Sequence, residues 1–190
     1  MPKLLGVTGY SGAGKTSAIE YITARSGANR IYVGQLITDE VIARRLPLGA
    51  DSEKNVRVGL RELYGMAGLA VLVTPTIRAS FALGRSVVID AICSLEELDH
   101  YRKTFDATAV LVSILASFDV RADRVALRSE KTMTREKLVE RDELEKNVLR
   151  TDLAIEAAEI KICNEGDLPG LHEQLDAHVC GLIPSFHKCP

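Results

Sequence analysis

The sequence predicts an α/β domain built on a parallel sheet. Three observations carry that reading. Short β-branched runs alternate with longer segments of helical period. Most of those runs are apolar throughout, as parallel strands covered on both faces must be. The first run leads directly into a glycine-rich turn followed by a helical segment. At 190 residues the chain is long enough to bury a core without disulfides or structural metal. Hydrophobic residues make up 46% and charged ones 26%, which excludes disordered and fibrous classes. The 24 Lys and Arg against 26 Asp and Glu leave a net charge of −2, so no bulk field attracts nucleic acid or anionic lipid. Neither partner is expected, and phosphate binding has to be local.

The elements follow in order. Leu4 to Thr8 is the first strand, and Lys15 to Arg25 the first helix, stopped by Gly27. Arg30 to Val33 is a strand and Leu36 to Arg45 a helix. Glu53 to Leu83 is helical with a break near Gly65. Ser86 to Asp90 is the third strand. Ser94-Leu95-Glu96-Glu97 reads as a capping box opening a helix over Leu95 to Phe105, with Glu97 reaching back to the cap. Ala109 to Leu115 is the fourth strand, followed by helices over Val120 to Ser129 and Arg135 to Ala158. Glu159 to Cys163 is the last strand, and Asp167 caps a helix over Leu168 to Leu182 with Pro169 in its first turn. The apolar runs at Leu69 to Val73 and Ala109 to Ala116 fall short of the ~18 residues of a membrane span. Residues 1–7 carry neither the apolar region nor the cleavage site of a signal peptide. The cysteines at 93, 163, 180 and 189 have no paired spacing, and the histidines do not join them in a finger pattern. A cytoplasmic protein with free thiols is the expectation.

Gly9-Tyr10-Ser11-Gly12-Ala13-Gly14-Lys15-Thr16 fits the phosphate-loop pattern G-x-x-x-x-G-K-[ST], placed as its mechanism requires between an apolar strand and a helix. Its glycines allow backbone N–H groups to point inward around phosphates, and the helix N-terminus adds partial positive charge. Gly9, Ser11, Gly12, Ala13, Gly14 and Ser17 are therefore nucleotide-binding candidates. Lys15 is the candidate that neutralises phosphate oxygens, and Thr16 offers its hydroxyl to Mg²⁺. The second metal carboxylate should end a neighbouring apolar strand, and Val87-Val88-Ile89-Asp90 supplies Asp90. Arg121, Arg124, Arg128 and Arg141 are candidate cations for the transferring phosphoryl group. The first three fall on one helix face before the polar turn Ser129 to Thr132, which reads as a short lid. The charge density from Arg121 to Lys146 also fits a solvated helical hairpin, and both readings stand.

These features, with ASFDVRADRVALR, RDELE and AAEIKICNEGDLPGL in the second half, resemble the P-loop small-molecule kinases. The likeness is nearest to nucleoside monophosphate kinases and the dephospho-CoA kinase group. It implies ATP and Mg²⁺ as cofactors and a P-loop NTPase three-layer α/β/α fold with a five-stranded parallel sheet in order 2-3-1-4-5. It further implies one domain over residues 1–190, with an acceptor-binding helical segment at about 35–84 and a lid at about 120–142. Asn164 and Gly166, after the last strand, are implied near the nucleotide, and Gln35, Thr38, Arg61 and Cys93 at the acceptor. Two positions depart from the family. Gly34-Gln35-Leu36-Ile37-Thr38 stands where Gly-Asp-x-x-Arg is common, and Asp90-Ala91-Ile92-Cys93 where Asp-Gly-x-Arg is common. The acceptor clamps at Thr38 and Cys93 are thus neutral, and the acid that would orient a hydroxyl is Gln35. The resemblance implies phosphoryl transfer from ATP to a small phosphorylated acceptor; a nucleotide-binding regulatory protein or slow NTPase without acceptor chemistry is the alternative.

Overall fold

Residue alternation sets the layers of this molecule. The computed structural model describes residues 1–106, 109–128 and 132–183. Strands β1 (Leu4–Thr8), β2 (Asn29–Tyr32), β3 (Val87–Asp90), β4 (Ala109–Leu115) and β5 (Ile160–Cys163) form an all-parallel sheet in order β2-β3-β1-β4-β5. Successive side chains on a strand point to opposite faces. Leu4, Ile31, Val87, Ile89 and Leu111 accordingly enter one core, and Leu5, Val7, Val88, Val112, Ile114 and Ile162 the other. Because both faces are covered, the strands show continuous apolar runs rather than alternating ones.

Helices α1 (Lys15–Ser26) and α9 (Leu168–His178) close the second core. The first is closed by α2 (Val33–Ala43), α3 (Ala50–Tyr64), α4 (Gly68–Ala82), α5 (Leu95–Phe105) and α8 (Thr151–Glu156). Helices α6 (Phe118–Ala126) and α7 (Arg135–Asn147) share a separate small cluster of Ala122, Val125 and Leu138. The segment from Glu53 to Leu83 is broken as its glycines require, with α3 and α4 bent 87° about the Gly65 turn. Among the described residues no single helix is long and apolar enough to cross a membrane.

Four expectations are corrected. Val33 opens α2 and is not in a strand. The helix expected over Val120 to Ser129 ends at Ala126, which leaves Arg128 outside it. The helix expected over Arg135 to Ala158 is two helices, parted at Arg150, whose backbone is left-handed (φ 53°, ψ 43°). A left-handed residue cannot continue a right-handed helix. The last helix ends at His178, with a 3-10 turn over Cys180–Leu182.

The cap of α5 forms as a capping box with one added partner. Ser94 Oγ accepts from Glu97 N–H at 3.3 Å, and the Glu97 carboxylate accepts from the backbone N–H groups of Ser94 and of Cys93, the latter at 2.9 Å to Oε2. The carboxylate therefore ties the turn after β3 to the helix that follows. Asp167 caps α9 by accepting from Gly170 N–H at 3.0 Å. Ser94 is fully buried, so Ser94→Ala leaves a helix N–H without its acceptor and is expected to lower unfolding free energy by about 1 kcal/mol. Urea unfolding followed by circular dichroism measures it, and an unchanged midpoint would show that the cap contributes nothing.

Candidate functional site

The chain leaving β1 turns at the C-terminal edge of the sheet and enters α1 through the glycine-rich loop. Gly14, the residue before α1, has φ 101°, and a Cβ there would stand 2.3 Å from Asn164 Nδ2. Only glycine allows both the backbone angle and that approach. Lys15 Nζ bends back over the loop and donates to Gly9 O at 2.6 Å and Tyr10 O at 3.0 Å. Burial lowers its pKa, and Glu145, Cys93 and Asp90 work in the opposite sense by attraction. Thr16 is exposed in the first turn of α1, with Ser17 half-buried behind it, and the hydroxyl of Thr8 at the end of β1 is buried without a hydrogen-bond partner. The loop thus joins a helix N-terminus, a cation held only by carbonyls and a reachable hydroxyl, an arrangement that receives an anion.

The neighbouring strand ends flank the loop. Asp90, buried at the end of β3, accepts from Arg30 Nε at 3.1 Å and from the adjacent guanidinium nitrogen. The sequence reading had no partner for this acid; Arg30 escaped it because a charge inside a strand carries no motif. On the other side Asn164, buried after β5, donates from Nδ2 to Ala13 O at 2.8 Å. Arg124 donates to Asn164 O at 2.8 Å and Gly166 O at 2.6 Å. These bonds place Arg124, a candidate lid cation, at the β5 edge of the loop, with its guanidinium on two backbone carbonyls.

The expected row of three arginines divides. Arg121 turns inward and is buried, Arg124 takes the carbonyls just described, and Arg128 is exposed beyond the end of α6. Arg128 has its pKa lowered by burial and then by Arg141. Arg141 donates from Nε to Glu145 Oε1 at 2.9 Å, and Glu145 is itself buried. Arg141 and Glu145 both act on the charge of Lys15, so α7 brings a cation and a carboxylate to the loop. Of the turn Ser129 to Thr132, residues 129–131 lie outside the described residues.

On the acceptor side the structure brings Arg61 and Cys93 together and leaves Gln35 and Thr38 engaged elsewhere. Arg61, on α3, is half-buried with its Nε unpartnered among the described residues; burial lowers its pKa, while Glu97 and Cys93 oppose that shift. Arg57, one turn earlier, adds a second cation close enough to act on Arg61. The sequence reading missed Arg57, although an Arg pair four apart on a helix is a legible sign of one basic face. Gln35 is exposed and donates to Asp39 Oδ1 at 2.8 Å, and Thr38 donates to Gly34 O at 3.3 Å. Both spend their hydrogen bonds inside α2. The Cys93 thiol is pushed up to about 12 by burial, then by Glu97 and Glu145. At pH 8 its thiolate fraction is on the order of 10⁻⁴. Iodoacetamide at that pH is expected to label exposed Cys163 and spare Cys93. Peptide mapping reads the result, and equal labelling would place Cys93 outside this buried, acid-flanked pocket.

No family model matches the chain. Among curated relatives, the UPF0200 protein MJ1399 of Methanocaldococcus jannaschii is 30% identical over 187 residues, covering 97% of this chain and 93% of its own length. The UPF0200/UPF0201 protein of Archaeoglobus fulgidus is 29% identical over 91% of this chain, which spans 54% of that longer protein. Among solved structures, shikimate kinase from Acinetobacter baumannii superposes with a TM-score of 0.61 at 15% identity, over 95% of this chain and 94% of its own. A sugar kinase from Janibacter sp. HTCC2649 gives 0.59 at 18%, over 96% and 99%. At such identities the likeness establishes the kinase-like P-loop fold and nothing finer.

Proposed function

The chain belongs to the UPF0200 family, and we propose that it transfers a phosphoryl group from ATP, with Mg²⁺, to a small acceptor that already carries a phosphate. One observation carries the reading: Lys15 sits on the loop at the N-terminus of α1, and its hydrogen bonds among the described residues go to the Gly9 and Tyr10 carbonyls. Carbonyls are weak partners for a desolvated ammonium, and phosphate oxygens replace them with gain. The donors in reach of a metal, the Thr16 hydroxyl and the Asp90 carboxylate, are oxygens of the hard type that Mg²⁺ takes. Bound beside the phosphates, Mg²⁺ supplies neutralisation of their oxygens.

The chain's own groups account for the rest. Loop N–H groups orient the phosphates, and Lys15 holds charge at the transferring end. Arg141 and Arg128 stand where negative charge spreads in the transition state. Asn164 and Arg124 fix the loop edge on the nucleotide side. Arg61, whose Nε has no partner among the described residues, is the cation this reading assigns to the acceptor, beside Cys93. The regulatory alternative draws on Gln35 and Thr38, which bond within α2 and offer no clamp of the common kind.

The test is ADP release from ATP and Mg²⁺ across nucleoside monophosphates, deoxynucleotides, dephospho-CoA and small phosphorylated alcohols. Lys15→Ala is expected to lower turnover at least ~100-fold with the fold retained. Arg61→Ala is expected to raise the acceptor KM about 10- to 100-fold, the value of a lost charge-assisted hydrogen bond. Normal turnover in Lys15→Ala would sink the site. Acceptor-independent ADP release, the same in Arg61→Ala, would favour the regulatory reading.

A further inference from the structure

A single guanidinium joins the phosphate loop to α7. Arg121 is buried on α6. Its Nη1 donates to Ser11 O at 3.1 Å and to Asp142 Oδ1 at 2.9 Å, and its Nη2 donates to Asp142 Oδ2 at 2.6 Å. The two-pronged contact fixes the relative orientation of fork and carboxylate, which one point charge would not. The rings of Tyr10 and Phe118 flank the cation, with centroids 5.3 and 5.5 Å from its central carbon. Backbones touch as well: a Cβ on Gly12, whose φ is 87°, would stand 2.8 Å from Arg121 O. The α6–α7 pair otherwise has its own small cluster, apart from both sheet cores. Arg121 is thus the point at which this pair grips the loop, and Asp142 is the residue next to Arg141.

We propose that Arg121 and Asp142 are a positioning pair that locks α7 to the phosphate loop, so that Arg141 takes its place over the transferring group only while the loop is held by this contact. The inference rests on the phosphoryl-transfer reading and names a device within it. Neither residue touches substrate. Ser11 O reports the shape of the loop to the guanidinium, the guanidinium holds Asp142, and the chain direction of α7 then sets Arg141 and, one turn on, Glu145.

Removing Arg121 would strand Asp142 and open a gap beside two rings, so the informative change is Asp142→Asn, which keeps size and one acceptor oxygen. Three measurements are made on the full chain: the melting temperature, ADP release with the best acceptor, and amide exchange of residues 9–17 and 135–147 with and without ATP and Mg²⁺. With the melting temperature within a few degrees of wild type, kcat is expected to fall about 10- to 100-fold while the KM for ATP changes less than about threefold. Arg141→Ala should cost far less in the Asp142→Asn background than in wild type, and Asp142→Glu should recover part of the loss. ATP should protect both segments in wild type but only residues 9–17 in Asp142→Asn. Equal protection of residues 135–147 in both proteins, or additive losses in the Asp142→Asn, Arg141→Ala double variant, would overturn the coupling while leaving the kinase reading in place. Protection of residues 9–17 that survives Lys15→Ala with turnover intact would instead overturn the kinase reading, and the coupling with it.

Discussion

Everything at this site depends on a desolvated lysine whose hydrogen bonds go to backbone carbonyls. Gly9 O and Tyr10 O accept from Lys15, no carboxylate among the described residues forms an ion pair with it, and burial pulls its pKa down. Such a charge is tolerable only where the backbone supplies aligned dipoles and where acids stand near without quenching it. Glu145 and Asp90 are those acids, and each has its own arginine, Arg141 and Arg30. The lysine is thereby left available, which is what an anion-binding loop requires of its cation.

The same pairing explains how a chain of net charge −2 makes a locally positive cleft. Asp90, Asp142 and Glu145 are each taken up by an arginine, and Arg124 is taken up by carbonyls. No ion pair among the described residues engages Lys15, Arg57, Arg61 or Arg128. Lys15 and Arg61 both act on Cys93, and Arg57 stands one turn from Arg61 on α3. A low local dielectric gives such charges more reach toward a phosphate than surface lysines have in water.

The strands and the loop were legible because each announces itself within a few residues. Leu4 to Thr8 and Ala109 to Leu115 are nearly continuous apolar runs, and the loop is a spacing whose mechanism demands its residue types. What escaped depends on contacts between distant residues. Arg30 bonds an acid sixty residues away, and Arg121 reaches a loop carbonyl more than a hundred residues back. Their spacing of three and then four residues places Arg121, Arg124 and Arg128 on one face of a lid, but a helix ending at Ala126 gives each a different environment. Arg150 broke a helix that its neighbours' propensities favoured, because a left-handed residue leaves no mark in composition.

The acceptor side carries the final step. On α2 the neutral Gln35 and Thr38 offer an acceptor anion no charge, and each already donates one hydrogen within the helix, to Asp39 and Gly34. On the proposed reading the anion is taken by α3, where Arg57 and Arg61 stand one turn apart and Glu97 and Cys93 act on the charge of Arg61. Glu97 can do this because it is anchored by the Cys93 N–H it accepts, so the cap of α5 also orients the acceptor cation. Burial raises the pKa of Glu97, against the Cys93 and Ser94 N–H groups and the Arg61 guanidinium, which favour its charged form. On the proposed reading, an acceptor anion would compete with Glu97 for Arg61, on whose charge that carboxylate already acts.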